Sequence, residues 1–386
     1  MSTNVKIYRS TDPGASAFTI YGNVPASTYG AGGWIGVLKA CLVDGYGSQT
    51  ASSVTITSSV ATFNATSHGF LVGQCLLIEG ATVTGGSING EVYVTSITAN
   101  SFTFAATGIS DQTATGTITA KVAPAGWTEP FTSTTNITCF RQGGGNGFYL
   151  NIDETAVQVS RFVGFESMLA VGVANGTNAF PTSAQQSGGL YANRSSASST
   201  TTKNWIIIAT DRHLYVHINA TGSSSESQIW CMTDLKSYKS SDLYGTFICG
   251  GDTATVTTNT RFFDESAISS QVPGCFITRR YTGTGASILA GKRGSDSMDT
   301  ASYFGASGLT YPSVVDGSLI LTPVRVHEVN LPRGMLPGVW APCHNKPLSH
   351  LDTFSGTGDL AGKTFIALNG YYAAQIIMET SNTWSI

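Results

Sequence analysis

Val54-Thr55-Ile56-Thr57, Cys75-Leu76-Leu77-Ile78, Val92-Tyr93-Val94-Thr95 and Phe102-Thr103-Phe104 mark residues 52–120 with β-branched and aromatic runs. Breaks at His68-Gly69, Gly85-Gly86 and Ala99-Asn100 separate them, the pattern of short antiparallel strands joined by turns. The stretch is almost uncharged. Its acids are Glu79, Glu91 and Asp111, and no Lys or Arg falls between Lys39 and Lys121. It reads as a small β-sandwich or barrel with a hydroxyl-rich surface, and sets the expectation of an all-β chain.

Gly45-Tyr46-Gly47-Ser48 precedes this stretch and Ala123-Pro124-Ala125-Gly126-Trp127-Thr128 follows it. The two flanks would join sensibly if the stretch were removed. The expected organisation is therefore a β-sandwich host domain in two parts, 1–48 and 122–386, carrying an inserted β-module at 49–121. In the host, strands are expected at 6–9, 148–152, 156–159, 162–166, 205–210, 213–219, 244–249, 318–322, 324–329, 364–368 and 374–379. Asp211-Arg212 has the length of a two-residue hairpin connection. Residues 173–203 read as a long polar loop and 232–238 as a helical turn. Helices are few and short: apolar residues at 34, 35, 38, 41 and 42 have helical spacing and stop at Asp44-Gly45, a helix plugging the end of the sandwich. No period of about 20–50 residues recurs, which excludes a propeller or a β-helix.

Charged residues make up 11% of the 386 positions, against about 25% in an ordinary soluble protein. A hydrophobic fraction of 41% excludes disorder as the cause. With a net charge of -3 and no basic block, nucleic acid is not an expected partner. Trp205-Ile206-Ile207-Ile208-Ala209 is typical of the longest apolar runs and far too short for a membrane span, so no membrane insertion is expected. Met1-Ser2-Thr3-Asn4-Val5-Lys6 lacks the apolar core of a signal peptide. Seven cysteines without a CxxC read as reduced core thiols of a protein made in a cytosol, not as a zinc site.

Several motifs invite chemistry. Residues 356–364 end like a phosphate-binding loop, but Thr357 stands where the first glycine of GxxxxGK[ST] belongs, and Thr364 begins a strand-like run. Gly143-Gly144-Gly145-Asn146-Gly147 lacks dinucleotide spacing and reads as a flexible hairpin tip. His213 and His217, near Asp211, would lie about 13 Å apart on a strand, too far for one metal, and read as satisfied sheet histidines. Cys343, His344, His350 and Asp352 crowd one loop without a closed zinc spacing, and a Cys–His pair there would need a lowered thiol pKa. The acidic pairs Asp153-Glu154 and Asp264-Glu265 point to opposite faces of a strand, unlike the carboxylates of a glycosidase. Trp127, Tyr191, Tyr303 and Tyr311 are expected in exposed loops, where rings stack on sugars or pack in interfaces. No catalytic, cofactor-binding or metal-ligating residue is assigned, and no cofactor is expected.

Taken together, 5–12, 38–48, 125–128, 205–219, 235–238, 336–342, 344–348 and 379–384 resemble a group of tailed-bacteriophage virion structural proteins. Leu336-Pro337-Gly338-Val339-Trp340-Ala341-Pro342 and Glu379-Thr380-Ser381-Asn382-Thr383-Trp384 are among the matching stretches. The 49–121 block, with Ser67-His68-Gly69-Phe70 and Gly73, is similar to the small β-modules spliced into many phage structural proteins. The resemblance implies a non-enzymatic virion component, made in the bacterial host cytoplasm, whose partners are copies of itself and other virion proteins. Tail, neck or baseplate is the expected position, with capsid decoration or binding of a host-surface glycan as alternatives.

Overall fold

The computed structural model describes residues 4–17, 19–20, 33–131, 136–222, 227–252, 274–294, 309–329, 331–370, 374–381 and 383–384. The fold is all-β with several antiparallel sheets. Among the described residues the largest sheet has thirteen strands. It runs from Lys6–Arg9 through Trp205–Ala209, His213–Ile218, Gln228–Asp234, Thr246–Cys249, Cys275–Ile277 and Ile288–Arg293. It continues through Leu321–Glu328, Leu331–Pro342, Gln375–Glu379, Thr364–Asn369 and Thr353–Ser355, with Lys236–Ser237 pairing Leu331–Pro342 off this path as the thirteenth. The sheet doubles back like a sandwich: Ile206, Tyr215 and Phe247 from its first half share one buried cluster with Val324, Val339, Ile366 and Met378 from its second. Tyr215 Oη donates to Pro337 O across this core at 3.1 Å.

Strand periodicity explains why the first half is apolar on both faces. Ile206, Ile208, Tyr215, Ile229, Cys231 and Phe247 point into the sandwich. The alternate residues Ile207, Ala209, Leu214, Val216, Trp230 and Met232 point the other way, into a second core. Successive side chains on a strand face opposite sides, so continuous apolar runs are what a sheet covered on both faces requires.

The second core is closed by the remaining sheets. One contains Ile137–Arg141, Tyr149–Asp153, Val159–Met168, Gly176–Phe180 and Leu190–Asn193. Two smaller ones draw their strands from residues 46–122. Their first and last strands, Tyr46–Thr50 and Thr119–Val122, pair with each other, with Tyr46 opposite Val122, so the chain enters and leaves this region side by side. Val54, Phe63, Phe102 and Phe104 from this region belong to the same buried cluster as Trp34 and Trp230.

At the centre lies the helix, an α-turn Trp34–Leu38 continuing as wider π-turns over Lys39–Asp44. Trp34, Ile35, Val37, Leu38, Ala40, Cys41 and Leu42 are buried, so its terminal peptide groups need protein partners. Gly33 offers no side-chain cap. The buried carboxylate of Glu154 accepts the Trp34 N–H instead. At the other end Cys41 O accepts from Ala125 N (2.8 Å), and Leu42 O accepts from Gly126 N and Trp127 N (both 3.0 Å).

Several expected elements differ. Residues 232–238 are not a helical turn: Gln228–Asp234 and Lys236–Ser237 are strands, because the apolar run Ile229-Trp230-Cys231-Met232 fills both faces of the sheet. The expected polar loop 173–203 contains the strands Gly176–Phe180 and Leu190–Asn193, both paired with Val159–Met168. That long strand begins only after Gln158, which turns the chain at φ 72°, so no strand covers 156–158. Leu331–Pro342 was hidden by Pro332, Gly334, Pro337 and Gly338. Arg325 pairs with Met335 but Pro323 pairs with Trp340, so 336–339 bulge opposite Val324, where a strand tolerates proline.

Replacing Glu154 by Ala should cost about 3–5 kcal/mol, as removal of one member of a buried charged network does. Gly33→Ala should also destabilise, since its Cβ would stand 2.3 Å from Glu154 Oε2. Urea unfolding midpoints check both, and a wild-type midpoint for Glu154→Ala would remove the cap from this account.

Candidate functional site

The structure disperses most of the residues singled out by sequence. The 356–364 stretch is a turn between Thr353–Ser355 and Thr364–Asn369, closed by Gly356 N donating to Lys363 O at 2.8 Å. Lys363 Nζ is 2.7 Å from Glu379 Oε2, so the lysine that would reach a phosphate holds a carboxylate. Cys343 is buried. His344 Nε2 accepts from Ile320 N at 3.0 Å while its Nδ1 meets Thr310 O at 2.8 Å. His350 Nδ1 accepts from Asn369 N, and Asp352 Oδ2 from Ser349 N. Among the described residues no group of His, Cys, Asp and Glu side chains is arranged to hold a metal ion.

Asp153 and Glu154 diverge as expected: Asp153 Oδ1 accepts from Thr155 N, whereas Glu154 turns inward to the helix. Burial pushes the Glu154 carboxyl up, opposed first by the nearby Arg194 guanidinium and then by hydrogen bonds from Ser160, Trp34 and Ile35. Asp264, Glu265 and Tyr303 lie outside the described residues. Trp127 is not in an exposed loop; it is buried and its Nε1 donates to Thr210 O at 2.8 Å. Tyr191 sits on a strand with the Arg161 guanidinium 3.8 Å from its ring centre. Tyr311 is 43% exposed and meets the edge of His344.

Gly143–Gly147 does connect two hairpin strands, but it is no free tip. Gly143 N and Gly144 N donate to Asp211 O at 2.9 and 3.1 Å, and Asn146 N donates to Asp234 Oδ2 at 3.0 Å. A Cβ on Gly144 would stand 2.3 Å from Asp211 Oδ2, and one on Gly145 would stand 1.9 Å from Asp234 Oδ2. The glycines serve close approach to two buried carboxylates. Asp234 also accepts from Thr246 Oγ1 at 2.6 Å. Burial pushes its carboxyl up, and these hydrogen bonds oppose that.

His213 and His217 are buried sheet residues. His213 Nδ1 meets Thr233 Oγ1 at 2.7 Å, and His217 Nε2 meets Asn369 O at 3.0 Å. Among the described residues His213 Nε2 has no hydrogen-bond partner, so they satisfy only half of this ring. Both pKa values are lowered to about 3, by burial first, then by Arg212 for His213 and His350 for His217.

The feature that sequence reasoning missed is an exposed apolar surface. Tyr238, Leu243, Tyr281, Val329 and Leu331 are all exposed, Leu331 by 72%. Beneath them Arg333 is wholly buried. Its Nε and Nη2 donate to the two oxygens of Asp242 at 2.8 and 2.9 Å, and its Nη1 to Glu328 Oε2 at 2.8 Å. Glu328 Oε2 also accepts from Tyr281 N at 2.6 Å, and Lys239 Nζ donates to Tyr281 O at 2.7 Å. The Arg333 guanidinium lies 5.2 Å from the Tyr281 ring centre. The bidentate Arg333–Asp242 pair, together with Glu328 bridging Arg333 and Tyr281 N, thus ties three separate segments together at these apolar residues. Aromatic and aliphatic groups over a rigid base are what a protein–protein contact uses.

No family model matches the chain, and no curated protein matches its sequence. No helix among the described residues is long and apolar enough to cross a membrane.

The buried histidines give a pH signature. Each stays neutral in the fold down to about pH 3, whereas the unfolded chain protonates near 6.5. Stability contributed by each is present above pH 6.5 and lost as pH falls towards 3, by up to about 1.4 kcal/mol per pH unit. Burial of Glu154 and Asp234 acts in the opposite sense, so the diagnostic is a difference between variants. His217→Gln should flatten the stability–pH slope between pH 6 and 4 by about that amount, measured from urea midpoints. An unchanged slope would show that His217 does not titrate this way.

Proposed function

We propose that this chain is a non-enzymatic structural component of a tailed-phage virion, an oligomeric surface or connector protein of the tail, neck or baseplate. The exposed Tyr238, Leu243, Tyr281, Val329 and Leu331 surface, held rigid by Arg333, carries the assembly part of this reading. The charge-poor composition supports it, and the resemblance of the sequence supports the virion assignment. Residues 49–121 are read as an inserted module docked on the second core; the side-by-side strands Tyr46–Thr50 and Thr119–Val122 are the geometry an insertion needs.

A groove of about 230 Å³ favours a second reading, host-glycan binding. It is lined by Met335, Pro337, Trp340, Trp384, Lys363 and Glu379. Trp340 is half-buried there with Lys363 Nζ 5.8 Å from its ring centre, and an aromatic body beside a polar group is a surface against which a sugar ring packs. Capsid decoration remains the alternative position on the particle.

Two measurements test the proposal. Sedimentation of the purified chain should show a multimer, and Leu331→Asp should shift it to smaller species by more than tenfold in dissociation constant, the scale of a buried interface contact. Immunogold labelling of purified particles should place the protein on the tail, neck or baseplate; label over the capsid would select decoration. A monomeric wild type, together with absence from the particle by mass spectrometry, would sink the reading. Retention on a glycan column that Trp340→Ala abolishes would favour the second.

A further inference from the structure

Cys249 and Cys275 occupy directly opposed positions on the paired strands Thr246–Cys249 and Cys275–Ile277. Gly250 N donates to Gly274 O, and Thr278 N to Thr246 O, both at 3.0 Å. Those bonds mark 250/274 and 246/278 as the hydrogen-bonded pairs of the ladder. By alternation 249/275 is a non-hydrogen-bonded pair, the class in which opposed side chains come closest, with Cα atoms about 4.5 Å apart. The two Sγ atoms are 3.2 Å apart, and both residues are wholly buried. A disulfide needs a Cα separation of about 4.4–6.8 Å and an S–S bond of about 2.05 Å. Closing the gap therefore takes about an ångström of side-chain rotation.

A third thiol tests the selectivity of the arrangement. Cys231 lies opposite Cys249 on its other side. Leu235 N donates to Gly245 O at 2.9 Å, which places 235/245, and by alternation 231/249, in hydrogen-bonded register. Side chains at such positions stand wider apart. Lys292, wholly buried, places Nζ 3.7 Å from Cys249 Sγ. Burial pushes the Cys249 thiol well above its ordinary range, and Lys292 partly opposes this for Cys249 and Cys231 alike, so the choice between them rests on the strand register.

We propose that Cys249 and Cys275 are the site of a cross-strand disulfide, formed by exchange with a disulfide oxidant such as glutathione disulfide. The Cys249 thiolate attacks one sulfur of the oxidant, breaking its S–S bond and releasing one thiol. Cys275 then attacks the mixed disulfide at the Cys249 sulfur and releases the second. The two protein thiols lose two electrons, the oxidant gains them, and both protons leave on the two released thiols. Because both sulfurs are buried in the folded chain, exchange takes place as the strands assemble or open. This inference goes beyond the assembly reading and does not rest on it.

The test is to refold the full chain from urea with glutathione disulfide or with a reductant, then alkylate under denaturing conditions and weigh it intact. The oxidised sample should carry two fewer alkylated thiols than the seven cysteines of the chain, with a peptide linking 249 to 275. Tm should rise by roughly 5 °C, as closure of a loop of this length restricts the unfolded chain. Cys275→Ser should abolish the link and Cys231→Ser should leave it intact. Full alkylation of all the thiols after oxidative refolding, or a linked peptide containing Cys231, would overturn the proposal. Both readouts come from the wild-type chain, so a variant that fails to fold does not blunt the test.

Discussion

A helix whose two ends are both buried imposes the strictest demand in this structure. Its terminal N–H and C=O groups have no water to bond, and each left unpaired would cost about 1–3 kcal/mol. Trp34 N finds Glu154 on the second sheet, and the carbonyls of Cys41 and Leu42 find the backbone of 125–127. Trp34 also donates through Nε1 to Asn193 O at 3.2 Å and packs edge-on against Trp230 at 5.5 Å. The helix is therefore satisfied only when the second sheet, the central strands and the segment leaving 46–122 are all docked. Folding of those parts is coupled through a handful of peptide groups.

The same rule governs the buried polar side chains. The strands from Trp205 to Asp234 separate two apolar cores, so a polar residue buried on them is costly unless it carries its own partner inward. Asp234 does so by gathering Thr246, Gln142 and Asn146, and in doing so fastens the glycine hairpin to the large sheet. Glu154 fastens the helix, and Arg333 fastens the exposed apolar surface. Groups that look reactive in the sequence are here committed to joints between segments far apart in the chain.

This explains what was legible beforehand. The Asp211-Arg212 hairpin, the helix at 34 and the short runs of 52–120 depend on neighbours in sequence, and periodicity or turn chemistry reveals such elements. Leu331–Pro342 was not legible, because its prolines and glycines are tolerated only by a bulge against Leu321–Glu328. The strand character of 176–180 and 190–193 comes from pairing with Val159–Met168, not from its own polar residues. The exposed surface was invisible for a stronger reason: Tyr238, Leu243, Tyr281, Val329 and Leu331 come from three segments, and no local pattern distinguishes them from core positions. Arg333 was equally silent, since a lone arginine in a proline-rich run gives no sign that it is buried.

Scarcity of charge and the placement of the few charges belong to one argument. Lys6 pairs with Glu91 at 2.9 Å, Arg333 with Asp242 and Glu328, Lys363 with Glu379, and Lys39 with Glu129. Charges that neutralise one another at internal joints leave little net field outside, so copies of the chain approach without strong repulsion. A protein that must remain dispersed keeps its charge on the surface and away from zero net value. Here the balance is reversed: pairing rigidifies the interior, hydroxyls cover much of the exterior, and the exposed large side chains stand over a bidentate ion pair. That distribution is the one the proposed assembly role requires.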